Sequence, residues 1–175
     1  MFTACGSSQS SSTGDAQTSQ PASSSEPEEP PYNPDPLTGL ENVGQYVDGQ
    51  RFVAVMVNNI SNNAANDARP QWGLSEAEVL VESKVEGGIT RFMALYPNVE
   101  NLPEQIGPVR SARHQFFQLI LPWQALYVHI GESTVQSEYR TNYEYGDLDI
   151  NLDRYSFPRD QARLATGVGS EHTAC

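Results

Sequence analysis

The segment Gly107-Pro108-Val109-Arg110-Ser111-Ala112-Arg113 sets two arginines around a serine just ahead of an apolar stretch, Phe116 to Leu121. Ser111 is a good N-cap residue for a helix over that stretch. The start of a helix already carries partial positive charge, so Arg110 and Arg113 there call for a negative partner. Two partners fit. One is a carboxylate of the protein itself, and the other is a bound phosphate or carboxylate held by guanidinium forks. Arg91 joins this constellation, because strand alternation sets it on one face with Met93 and Leu95, and a cation on an apolar face needs a counter-group. Glu78, Glu82 and Glu86 in the same stretch are the internal candidates.

Other residue types invite smaller readings. His129 closes an apolar run and is followed by Gly131, the position at the carboxyl end of a strand where α/β sheets meet ligands. A scaffold role through hydrogen bonds is the competing reading. With no second His or Cys at a ligand spacing, no metal is expected, and nothing calls for a cofactor. Asn58 can cap the chain locally or hold a ligand. Glu82 and Glu86 could form a carboxylate pair, although carboxylates are common throughout this acidic chain. Ser111 lies in no nucleophile elbow.

The elements that must position these residues follow from the pattern. Arg51 to Asn58 reads as a strand buried on both faces and therefore central. Residues 59 to 69 read as a loop, and Pro70 to Leu74 as a short helical turn or structured bend. Glu78 to Val85 and Ile89 to Pro97 read as a hairpin about Glu86-Gly87-Gly88. Ser111 to Pro122 carries Ala112, Phe116, Leu119 and Ile120 at helical spacing, with Phe117 and Leu121 widening the apolar stripe and Pro122 ending or kinking it. Ala125 to Ile130 is a further buried strand and Ser133 to Tyr139 a second helix. Beyond Thr141 the pattern gives no signal. The expected fold is α/β: a mixed β-sheet with packed helices, preceded by a disordered N-terminal tether.

The tether occupies residues 1–36, which hold no Lys or Arg and, from Gly6, almost no large apolar side chain. Residues 37–175 form the globular part. The net charge of −12 and a single lysine, Lys84, against nine arginines exclude nucleic acid as a general partner. Cys5, in Phe2-Thr3-Ala4-Cys5-Gly6, resembles a bacterial lipobox followed by its spacer, although only four residues precede it. The alternative is a stray N-terminal cysteine. A lipidated Cys5 would tie the domain to a membrane surface, with the tether allowing roughly 30 Å of reach.

Taken together, Pro36-Leu37-Thr38-Gly39-Leu40, Val55-Met56-Val57-Asn58-Asn59, Arg69-Pro70-Gln71, Gly73-Leu74-Ser75, Val85 to Arg91, Gly107 to Arg113 and Tyr127-Val128-His129 resemble the N-terminal domain of the YerB-like bacterial lipoproteins. The resemblance implies a lipid-anchored protein at the extracytoplasmic face of the cell membrane, of uncharacterised molecular function. It also implies a second, C-terminal domain beyond Cys175, so that this chain is a fragment and Cys175 carries no thiol chemistry. Three functions remain open: a binding module that holds an anionic envelope ligand or a partner's carboxylates, an envelope enzyme, or one half of a two-domain scaffold. The enzyme reading rests on a local similarity of Ile89 to Arg113 to the LytR-CpsA-Psr phosphotransferases, whose arginines surround a polyprenyl pyrophosphate. Glu76 and Glu78 stand where that family wants aspartates.

Overall fold

The computed structural model describes residues 33–41, 49–63 and 66–155. Cys5, Cys175 and residues 1–32 of the expected tether lie outside the described residues. The β-branched run yields strand β1, Val53–Asn58, with all six residues buried. It is followed by a small ladder of β2, Ser61–Asn63, and β3, Asn66–Asp67, in the stretch expected to be loop. The hairpin forms as the Gly-Gly pair implies, from β4, Val79–Lys84, and β5, Thr90–Tyr96, around a 3-10 turn at Glu86–Gly88.

Helix α1 spans His114–Ile120, followed by a 3-10 turn at Leu121–Trp123 that contains Pro122. Strand β6, Leu126–His129, then leads to helix α2, Thr134–Asn142, whose N-cap Ser133 accepts a hydrogen bond from the Gln136 amide at 3.2 Å. A last strand, β7, Asp149–Asn151, lies in the region where the sequence gives no signal.

Five strands form one mixed sheet in the order β4-β5-β1-β6-β7. β5 runs antiparallel to β1 and to β4, while β6 runs parallel to β1 and to β7. β1 is central, as its uninterrupted apolar run requires. β4 is an edge strand whose residues alternate between half-buried and exposed. Its outward Glu82 and Lys84 suit an edge that must not recruit another strand.

Each face of the sheet has its own core. Ala54, Met56, Met93, Leu95 and Tyr127 pack against Phe116, Phe117 and Ile120 of α1 and against Tyr145. On the other face Val53, Val55, Val57, Ala94 and Tyr96 meet Val109, Ile130, Leu102 and Ile106.

Two expectations for the first helix are corrected. Ser111 is not its cap: the helix starts at His114, with Arg113 as an extended N-cap residue whose side chain makes no capping bond. Ala112 is buried but precedes the helix, and Leu119 is 46% exposed, so the packed stripe is Phe116, Phe117 and Ile120 alone. Phe116→Ala is therefore expected to cost about 3–5 kcal/mol in urea unfolding, while Leu119→Ala should cost less than about 1 kcal/mol. Equal losses would overturn this assignment of the helix faces.

Candidate functional site

β1 and β6 pair only through Val53–Val55 and Leu126–Val128. Beyond those residues a strap, Pro108 to Ala112, lies between them. On the β1 side Asn58 N–H donates to the Pro108 carbonyl at 2.8 Å and Arg110 N–H to the Met56 carbonyl at 2.9 Å. On the β6 side Ile130 N–H donates to the Arg110 carbonyl at 3.1 Å and Ala112 N–H to the Gly131 carbonyl at 3.0 Å. Val109 and Ala112 are buried, whereas Arg110 and Ser111 remain half-exposed at the carboxyl ends of the two strands. Gly131 has φ of +71°, and a Cβ there would stand 3.1 Å from the Ser111 hydroxyl oxygen, so glycine fits both the turn and the approach of the strap.

Arg91 is 6% exposed on the helix-covered face with Met93 and Leu95, as alternation implies. One of its terminal nitrogens donates to the Ser111 carbonyl, and its Nε is buried with no hydrogen-bond partner. Burial, reinforced by the charges of Arg113 and Arg110 and opposed by Glu86 and Tyr127, pushes its pKa down to about 10. The three arginines thus lie close enough to act on one another.

Arg113 turns away from the helix axis. Its Nε donates to both carboxylate oxygens of Glu86 at 2.8 Å and its Nη1 to the Ala112 carbonyl at 2.7 Å. That pairing, together with burial opposing it, leaves the Glu86 carboxyl below its ordinary pKa.

Asn58 is Cα-paired with Arg91 across the antiparallel β1–β5 ladder, so the two side chains project from the same face. Asn58 is 1% exposed. Its Oδ1 accepts from Ile60 N–H at 3.3 Å, a local cap that fixes the orientation of the amide. Its Nδ2 is buried without a partner. Two unfilled buried donors therefore stand at paired positions beside the arginines.

Glu82 is elsewhere. It accepts from Thr90 Oγ1 at 2.6 Å and from Asn59 Nδ2 at 2.9 Å, and its recorded bonds involve no arginine. Glu82 and Glu86 thus take different partners, Thr90 and Asn59 for the first and Arg113 for the second. Glu78 sits at the opposite end of the hairpin from Arg91, its N–H on the Leu95 carbonyl, with Glu76 lining the same cavity of about 570 Å³. Burial, followed by the charge of Asp35, raises the pKa of Glu78. Glu76 and Glu78 thus stand apart from the arginines.

His129 is fully buried in a second network. Its Nδ1 lies 2.8 Å from the Gly131 carbonyl and its Nε2 2.9 Å from Asp149 Oδ1, so both ring nitrogens face acceptors. Arg140 reaches Glu132 at 3.0 Å and Asp149 at 3.4 Å, and Arg154 approaches the same two carboxylates at 3.8 and 3.7 Å. The Glu132 hydrogen bond raises the pKa of Arg140 against the opposing effect of burial. Ligand atoms of His129, Glu132 and Asp149 lie within 4.8 Å of one another, a spacing that could suit a metal, but two guanidinium groups already supply the positive charge there. This network holds the His129 ring in place through both of its nitrogens.

The sequence did not single out Glu132, Arg140, Asp149, Arg154 or Tyr127 as site residues. β7 gave no apolar signal because its buried side chains are Asp149 and Asn151. Tyr127 joins the two networks: its hydroxyl is 3.4 Å from both the amide nitrogen and the carbonyl of Arg113, and its ring centroid is 5.2 Å from that of His129. Burial raises its pKa.

These features define a mixed α/β domain with a cationic cluster at the carboxyl ends of two parallel strands. The chain belongs to the family described as "Protein of unknown function (DUF3048) N-terminal domain", matched over residues 37–170. It is 46% identical over 98 residues to "Putative lipoprotein YerB" of Bacillus subtilis (strain 168), a match that covers 56% of this chain and 27% of that protein. The crystal structure of the YerB protein from Bacillus subtilis superposes with a TM-score of 0.58 at 34% identity, covering 74% of this chain and 42% of that one. The chain thus spans less than half the length of these relatives.

Removing the His129 ring leaves Asp149 Oδ1 buried without its hydrogen-bond partner while Arg140 and Arg154 still balance its charge, so His129→Ala is expected to cost about 1–3 kcal/mol. A double-mutant cycle with Asp149→Ala, followed by urea unfolding, should give a coupling above about 1 kcal/mol. Independent, additive losses would refute the pairing.

Proposed function

We propose that this chain is an anion-binding domain of a lipid-anchored protein at the extracytoplasmic face of a bacterial membrane. The observation that carries the binding reading is the pair of buried, unfilled donors, Asn58 Nδ2 and Arg91 Nε, on the same face of adjacent strands beside Arg110 and Arg113. Buried donors are normally satisfied, and each one left empty costs about 1–3 kcal/mol. An oxyanion supplies acceptors to both and negative charge to the arginines in one step. Arg110, Ser111 and Arg113 would present the strap side of this site. His129 would support it through Tyr127 and take no part in ligand contact, and Glu82 would stay outside it. The reading requires binding only, with no reaction.

The anchoring part rests on the lipobox-like Cys5, the composition of residues 6–36 and the similarity to the Bacillus subtilis putative lipoprotein YerB. In the full-length protein produced in its own host, Cys5→Ala should move the protein out of the membrane fraction. Unchanged membrane association would refute anchoring at Cys5.

Arg91 gives the binding site a distinctive stability signature. Its folded pKa, about 10, lies below the ordinary value of an arginine, so folding disfavours its cation. That cost is present at neutral pH and is relieved only as pH rises through about 10. In thermal melts with inorganic phosphate or pyrophosphate, the wild type should gain a saturable stabilisation, about 2.7 kcal/mol at a hundredfold excess over Kd. Arg91→Met should fold with an unliganded melting temperature near or above that of the wild type and show no anion response. A wild type indifferent to both anions, at chloride-matched ionic strength, would refute the site.

A further inference from the structure

The Arg113–Glu86 pair joins the strap to the β4–β5 turn, and both of its charges act on Arg91. The two partners differ in surroundings: the Arg113 side chain is 16% exposed and that of Glu86 67%. Glu86 therefore reaches in from solvent to a guanidinium that is otherwise largely enclosed. It rides on Glu86–Gly88, where Gly87 has φ of +73° and no atom within 4 Å of where a Cβ would stand, so little packing holds the turn in place. A second tie between the same elements, Gln115 Nε2 to the Lys84 carbonyl at 2.9 Å, does not involve the Glu86 carboxylate and can persist without it.

Resting on the anion-binding reading, we infer that Glu86 is a built-in competitor: its carboxylate occupies Arg113 in the empty domain and is displaced when an external oxyanion enters. The Glu86 end of the pair is open to solvent on a loosely packed turn, which makes Glu86 displaceable, while its position at Arg113 means that any incoming anion must compete with it. A monocarboxylate offers Arg113 no more charge than Glu86 does, and it loses the advantage of tethering. A dianion that spans Arg113 and the empty donors of Arg91 and Asn58 offers more. The site therefore selects tetrahedral dianions of the phosphate or sulfate class over simple carboxylates.

The test is isothermal titration of the folded domain, in wild-type, Glu86→Gln and Glu86→Ser forms, with sulfate and with acetate at constant ionic strength. The wild type should bind sulfate and give no measurable heat with acetate. Both variants should bind sulfate about fivefold more tightly, and acetate should become detectable in them. Equal or weaker sulfate binding in folded variants would overturn the competitor role while leaving the anion site intact. Loss of folding in both variants would overturn it as well, because Glu86 would then be a structural prop. Failure of every form, wild type included, to bind sulfate would remove the anion site itself and this inference with it.

Discussion

The arrangement of this domain depends on the parting of two parallel strands. β1 and β6 separate after three paired residues, and the backbone of Pro108 to Ala112 fills the gap by bonding to both. Inserted backbone must satisfy its own N–H and C=O groups, and here each side of the strap is met by a strand. Because those bonds fix the backbone of Arg110 and Ala112, they set where Arg110, Ser111 and Arg113 leave the sheet. The Ser111 carbonyl, directed away from the strap's own ladder, becomes the acceptor for Arg91 from β5. The cluster is thus a product of the sheet and not of the helix that follows. α1 is only seven residues long and begins after the arginines.

Two charged networks flank the strap and differ in charge balance. Around His129 the carboxylates face opposite charge, Asp149 against Arg140 and Arg154 and Glu132 against both arginines, although Asp149 Oδ2 makes no hydrogen bond. Such a network gains its strength from mutual satisfaction and resists rearrangement. Around Arg91 the balance is different. Like charges from Arg113 and Arg110 outweigh Glu86 in their effect on its pKa, and two donors remain empty. Tyr127 sits between the networks, in contact with the Arg113 backbone and the His129 ring, so the rigid network braces the incomplete one.

The fold was legible where apolar pattern and turn chemistry agree. The run in β1, the Gly-Gly hairpin of β4 and β5, β6 and the presence of α2 could all be read from residue order, because each reflects local physics. β7 could not, since a strand whose buried side chains are Asp149 and Asn151 looks like a polar loop until its partners are known. Ser111 was misread for a related reason. Its type and spacing suit a helix cap, but bonds from two distant strands hold its segment extended. Arg91, Arg110 and Arg113 were legible as a group because cations near apolar positions demand partners. The identity of those partners was not legible, since sequence gives no preference between Glu78, Glu82 and Glu86 until the hairpin fixes which of them reaches the strap.

The incomplete network also bears on stability. Two buried unfilled donors cost about 1–3 kcal/mol each, a substantial share of the 5–15 kcal/mol by which ordinary domains are stable. A ligand present at a hundred times its Kd returns about 2.7 kcal/mol, the same order as that cost. An anion at this place would therefore fill what the protein leaves open, and the stability of the empty domain would understate that of the occupied one. A well-packed apolar pair at positions 58 and 91 would need no such partner and would hold the empty fold more firmly. The chain instead has an amide and a guanidinium there, each with one buried donor that no protein group meets.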